Sequence, residues 1–258
     1  MVSYRGDLLG HQREKLISLA KRLLNHNLNG STDQADQIMI KKVNDYIDDD
    51  IISSEVSKIF YDHPVPIALS AELEKKNSYK ATKAIDTPLL ITRDEDGVVR
   101  TFINICKHRG APVCPEGRGE KSKFNCTYHG WMYDNKGSLI NIFKSDTFGD
   151  IDTKNIKLTE LFCEEKSGFI WACLNPDIKY NLSDWMNEFE SELDDIGLKN
   201  WYIFKSTTIN GPRWKICWDG YLDGYHHHMV HLKQSAKIQL STLLLMIHMV
   251  LIKGLLLV

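Results

Sequence analysis

Four side chains in two short stretches carry the clearest chemistry of this sequence: Cys106-Lys-His108 and Cys126-Thr-Tyr-His129. Each stretch offers one thiol and one imidazole. A two-iron, two-sulfide cluster with two thiolates on one iron and two neutral imidazoles on the other needs that set, one Cys and one His from each of two loops. Neutral ligands lower the negative charge on such a cluster, so it accepts electrons at roughly −150 to +300 mV, against about −400 mV for an all-thiolate plant-type cluster. Gly110 and Gly130 let backbone amides approach the sulfides, and Trp131 and Tyr133 are positioned to shield the cluster from water. A single zinc ion also accepts two Cys and two His. Zinc fingers, however, pair Cys with Cys and His with His, and the mixed spacings here suit two metals better than one.

A second constellation follows: Asp223-Gly-Tyr-His226 and His231, preceded by Trp214-Lys215 and Asp219. Two His and a carboxylate with open positions form the ligand set of non-haem Fe(II) oxygenases. Asp223 and His226 share a helix face. His226 and His231 stand roughly 140° apart on an ideal helix, so they meet at one ion only if the helix ends or bends between them. His227 and His231, four apart, pair better on helix geometry, and the residues alone leave that choice open.

The run Cys-Lys-His-Arg-Gly-Ala-Pro-Val-Cys114, with Cys-Thr-Tyr-His-Gly-Trp-Met-Tyr-Asp134, resembles the Rieske domain of ring-hydroxylating oxygenase large (alpha) subunits. Respiratory Rieske proteins add a Cys beside each motif and join the two in a disulfide. Here Cys114 follows the first loop, while Thr127 and Tyr128 stand inside the second motif, so Cys114 is read as a buried packing residue and the resemblance points to the oxygenase branch. It implies that Cys106, His108, Cys126 and His129 bind a [2Fe-2S] cluster and that His226 and His231 bind a mononuclear Fe(II). Asp223 matches a bridging carboxylate that hydrogen-bonds an iron-ligand His and reaches a Rieske His of the neighbouring subunit. His227 and His228 are then solvent-facing or supporting residues, and Asp219 an acid near the site.

These residues must be positioned by an α+β chain. Leu16, Leu19, Leu23 and Leu24 fall at helical spacing in a packing extension, with Ser31 or Thr32 as cap of a second helix and a short helix over 55–60. Short strands are expected over 79–83, 88–92 and 98–103, the last two joined at Asp96-Gly97, then at Phe124, 131–133, 158–163 and 169–173, with a turn at Asn135-Lys-Gly137. A helical run over 184–193 and an aromatic strand over 201–208 open the next part. The expected division is an N-terminal helical segment at 1–63, an antiparallel β Rieske [2Fe-2S] domain at 64–174, and the truncated start of an α+β catalytic domain at 175–258.

With 258 residues, 43% of them hydrophobic, and a net charge of −2, the chain is globular, and nothing favours nucleic acid. Six cysteines without a disulfide framework and no apolar leader point to a reducing cytoplasm. The run 243–258 is apolar but is shorter than the usual ~20-residue span and holds His248 and Lys253, which argues against a membrane anchor. The change of character from about residue 232 reads as a frameshift. In the frame left by one lost base, Met246-Ile247 forces an Asp and Met249-Val250 a Gly, within an ordinary soluble sequence. The family's third iron ligand, an Asp far toward the C-terminus, is absent from this sequence.

The resemblance implies an oxidoreductase in aromatic hydrocarbon catabolism, of the dioxygenase type, that passes electrons from the cluster to an iron activating O2 for hydroxylation of an aromatic or related organic substrate. NADH would act through a reductase, with or without a ferredoxin, and the assembly would be a homotrimer or an alpha/beta hetero-oligomer. A Rieske electron-transfer protein, or a non-catalytic fragment of such an oxygenase, is the alternative.

Overall fold

The computed structural model describes residues 13–223 together with 226 and 230. His227, His228, His231 and the tail from 232 lie outside the described residues. Two compact units emerge, one of residues 13–54, 191–197 and 206–223 with 226 and 230, the other of residues 55–190 and 198–205.

The second unit is built of antiparallel strands. β1 (Val65–Leu69), β2 (Ser78–Ala84), β3 (Thr87–Arg93), β4 (Val99–Ile103), β5 (Gly117–Glu120), β6 (Lys123–Asn125), β7 (Met132–Asp134), β8 (Leu139–Asn141), β9 (Glu160–Leu161), β10 (Cys163–Lys166) and β11 (Phe169–Ala172) follow in chain order. They form a five-stranded sheet in the order β5-β2-β3-β4-β9 and two three-stranded sheets, β1-β11-β10 and β6-β7-β8. The apolar run Leu89-Leu90-Ile91 makes β3 the central strand, and all three side chains are fully buried.

Turn chemistry sets the registers. Asp94 and Asp134 open two equivalent turns, each carboxylate accepting two backbone N–H groups: Asp96 and Val98 at 2.9 Å in the first, Lys136 at 2.9 Å and Ser138 at 2.8 Å in the second. Gly97 and Gly137 close them at φ +87° and +78°. A two-residue turn, Ser167-Gly168, has φ +52° and +86°, the conformation whose twist matches a β-hairpin, and joins β10 to β11. The main apolar core gathers Leu90, Phe102, Phe124, Trp131, Tyr133 and Leu158, and both Cys106 and Cys126 belong to it.

The first unit contains α1 (Arg13–Asn29), α2 (Asn44–Ile47), most of α3 (Asp49–Glu55) and α6 (Trp214–Leu222). In chain order α4 (Leu182–Met186) and α5 (Glu188–Ile196) follow the strands and precede α6. Among the described residues of this unit Leu193 alone is buried, so hydrogen bonds and partly covered faces hold its elements. No helix among the described residues is long and apolar enough to cross a membrane.

The structure departs from the sequence expectations in identifiable ways. No helix follows Ser31 or Thr32; the next begins at Asn44. The helix expected at 55–60 is π-helical over Val56–Tyr61 and continues directly from α3. The aromatic segment 201–208 is no strand: it pairs with no described strand, and Tyr202 and Phe204 are 78% and 90% exposed.

Candidate metal centres

The first Cys/His loop leaves β4 and is stapled at its base by Asn104. The buried Asn104 carboxamide oxygen accepts the N–H groups of Val113 (3.1 Å) and Cys114 (3.0 Å), and its nitrogen donates to the Cys114 carbonyl (2.7 Å). Inside the loop, Cys106 N–H donates to Ala111 O (2.8 Å) and Gly110 N–H to Cys106 O (3.0 Å). The second loop, between β6 and β7, repeats this frame: Cys126 N–H donates to Trp131 O and Gly130 N–H to Cys126 O, both at 2.9 Å. In each frame the residue four after the Cys has positive φ, +75° at Gly110 and +69° at Gly130, which glycine adopts without steric cost. A β-carbon at Gly130 would also stand 3.0 Å from Phe143 Cβ. The two unequal motifs are therefore one backbone frame used twice, with the His two residues after the Cys in one loop and three in the other.

These loops bring the four side chains together in two pairs. Cys106 and Cys126 are each 3% exposed, belong to one core, and their thiols influence one another electrostatically. Burial and, less strongly, Cys126 push the Cys106 thiol above its ordinary range, against lowering hydrogen bonds at Tyr133 and the His108 backbone. Such thiols give up their protons to a bound cation. The imidazoles of His108 and His129 sit with ring centroids 4.6 Å apart. Among the described residues no three His, Cys, Asp or Glu side chains converge on one ion position. Tetrahedral zinc needs four ligands at about 2.0–2.3 Å around one point, whereas thiols paired with thiols and imidazoles with imidazoles suit two metals. His108 Nδ1 is buried without a hydrogen-bond partner, a state that a metal would relieve. Burial, then His129 and Arg109, lowers the His108 pKa and favours the neutral, ligating ring. The residues present fit a [2Fe-2S] group.

The surroundings of the two imidazoles differ. Trp131 and Phe148 pack on His108, whereas Tyr128, 63% exposed, lies beside His129 with centroids 3.9 Å apart. Sequence reasoning assigned Tyr133 to shielding alone. Its fully buried phenol accepts the Lys107 N–H (3.1 Å) and lies 3.4 Å from Cys106 Sγ. Burial, then Cys106, raises the phenol pKa, so the phenol keeps its proton and would be the donor of this contact once Cys106 is a metal-bound thiolate. The signal was the two-residue spacing of Trp131 and Tyr133, which aims both side chains to one face of the strand.

The second constellation belongs to the first unit. α6 ends at Leu222, and Asp223 leaves it with extended backbone while its N–H donates to Asp219 O (2.9 Å). α6 thus stops before His226, whose carbonyl accepts the Val230 N–H at 2.9 Å in a further helical turn. His226 Nδ1 lies 3.2 Å from Asp223 Oδ2, the arrangement by which a carboxylate orients an imidazole and leaves Nε2 for a metal. Asp219 accepts a hydrogen bond from Tyr46, a residue the sequence reading did not single out. Among the described residues no third ligand joins Asp223 and His226.

This cradle is that of an iron-sulfur electron-transfer domain. Residues 63–154 match the Rieske [2Fe-2S] domain, and the chain carries one. It is similar to large subunits of Rieske oxygenases: it is 30% identical over 181 residues to the anthranilate 1,2-dioxygenase large subunit of Burkholderia cepacia, covering 64% of this chain and 41% of that protein. It is 27% identical over 202 residues to the toluate 1,2-dioxygenase alpha subunit of Pseudomonas putida, covering 74% and 44%. Among solved structures, the quaternary ammonium Rieske monooxygenase CntA superposes with a TM-score of 0.67 at 26% identity over 74% of this chain and 54% of that one. Naphthalene 1,2-dioxygenase from Rhodococcus sp. gives a TM-score of 0.68 at 26% identity over 86% and 50%. The chain spans less than half the length of the two curated relatives named here.

Proposed function

We propose that the chain is the Rieske and partial iron-binding portion of an oxygenase large subunit, with Cys106, His108, Cys126 and His129 holding the [2Fe-2S] cluster and His226 and His231 holding a mononuclear Fe(II). The carrying observation is the sorting of the four side chains into a thiol pair and an imidazole pair. When bound, the cluster supplies single electrons and the mononuclear iron activates O2 for hydroxylation of an organic substrate. The protein contributes position and exclusion of water. Trp131 and Phe148 cover His108, the Tyr133 phenol would donate to the Cys106 thiolate, and Asp223 orients His226, which suits Asp223 to the role of a carboxylate bridging to a Rieske His of a neighbouring subunit.

Relatives named as dioxygenases and as monooxygenases both match, among them methanesulfonate monooxygenase and choline monooxygenase, so the reading is an oxygenase with the dioxygenase type as its finer form. An aromatic or related substrate, a reductase with or without a ferredoxin as source of NADH electrons, a homotrimer or alpha/beta assembly and a cytoplasmic setting complete the proposal. An electron carrier alone has no use for the Asp223 and His226 pair, which weighs against that alternative. Anaerobic reconstitution followed by iron and sulfide analysis and EPR tests the reading. A Rieske signal, one additional mononuclear iron and O2 uptake on adding substrate are expected; a cluster without mononuclear iron overturns the oxygenase assignment.

A further inference from the structure

α6 buries none of its side chains, yet it carries Asp219 and delivers Asp223. What fixes it is a ladder of polar bonds from residues 45–49. Arg213, just before the helix, donates to Ile47 O and to Asp49 Oδ1, both at 2.9 Å. Lys215 donates to Asp45 O and lies 5.6 Å from the centre of the Tyr46 ring. One turn further on, the Tyr46 phenol donates to Asp219 Oδ2 at 2.5 Å. Asp219 is the residue whose carbonyl closes the helix on the Asp223 N–H, and Asp223 in turn contacts His226.

We infer that Tyr46 is a positioning residue for the mononuclear iron centre: by holding Asp219 it fixes the end of α6 and so the place from which Asp223 presents His226. This rests on the iron reading above and deepens it, turning a segment read as a packing extension into part of the site's support. A phenol donating to a carboxylate is a charge-assisted bond with defined geometry. Because Asp219 is exposed, losing the bond perturbs the local aim of α6 more than the folding of the chain.

The test uses the full chain with its cluster reconstituted and cobalt(II) as a coloured stand-in for Fe(II), titrated into wild type, Tyr46→Phe, Asp219→Asn and the double variant. Losing a ligand's direct supporting partner costs about 10- to 100-fold in metal affinity; Tyr46 acts one step further out, so each single variant is expected to weaken cobalt binding about 3- to 10-fold. The double variant is expected to match the singles, since all three remove one bond. The Rieske EPR signal and the Tm stay at their wild-type values. Wild-type affinity in Tyr46→Phe, additive losses in the double variant, or a Tm that falls in step with affinity overturns the inference while the iron reading stands. A wild-type chain that takes up no cobalt overturns both.

Discussion

The Trp131 indole lies flat on the His108 imidazole, ring centroids 4.9 Å apart and planes within 5° of parallel, with Phe148 set edge-on to both rings. One imidazole of the cluster site thus has an apolar face covering it, while its counterpart His129 has a partly exposed Tyr128 for a neighbour.

Trp131→Ala removes that cover and a core side chain together. The expected cost is about 3–5 kcal/mol of stability, with faster loss of the cluster's visible absorption in air. Trp131→Phe keeps an aromatic face on His108 and should bleach within about twofold of the wild-type rate, where a stacked ring retains most of the packing. Thermal unfolding and absorption decay measure the two effects separately.

Tyr133→Phe deletes one hydrogen bond to sulfur and changes the shape of the core little. A bond of about 0.5–1.5 kcal/mol that favours the reduced cluster corresponds to on the order of 50 mV for a one-electron couple. The midpoint potential by protein-film voltammetry should fall by that amount. An unchanged potential would show that the phenol does not donate to Cys106.

Gly97 and Gly137 occupy the same place in the two Asp-initiated turns, at φ +87° and +78°, but their surroundings differ. A β-carbon at Gly97 meets nothing within 4 Å, whereas one at Gly137 would stand 2.5 Å from Phe102 Cε1. Gly97→Ala is expected to cost about 1 kcal/mol for the left-handed backbone alone, and Gly137→Ala about 2–4 kcal/mol once overpacking is added. Urea denaturation of the pair isolates the steric part.

Arg93 on β3 and Glu165 on β10 join two sheets through paired hydrogen bonds of 2.8 and 2.7 Å. Burial would raise the Glu165 pKa, but the Arg93 guanidinium outweighs it and holds the carboxyl below its ordinary range. A lowered folded-state pKa stabilises the fold above the ordinary carboxylate range, and the benefit disappears as pH falls through the lowered value. Glu165→Gln should therefore cost about 2 kcal/mol at pH 7, with the gap to wild type closing toward acid. Stability measured from pH 7 down to pH 3 checks the sign.

The parts of the molecule written in local chemistry were legible in the sequence. The Cys/His spacings announced the cluster loops, and Asp96-Gly97 and Asn135-Lys-Gly137 fell in the hairpin turns observed. What depends on distant partners was not. β5, Gly-Arg-Gly-Glu, has no apolar residue and exists because it pairs with β2. The segment 201–208 has the composition of a strand and lacks a described strand to pair with. The bond between Tyr46 and Asp219 joins residues 173 positions apart, and no periodicity encodes it.

Cys106 and Cys126 are members of the same apolar core as Phe102, Phe124 and Tyr133. With the cluster bound as proposed, iron is anchored in the apolar core itself, so unfolding of that core releases the iron. The colour of the protein then serves as an intrinsic gauge of the integrity of its interior, readable in a cuvette without any added dye.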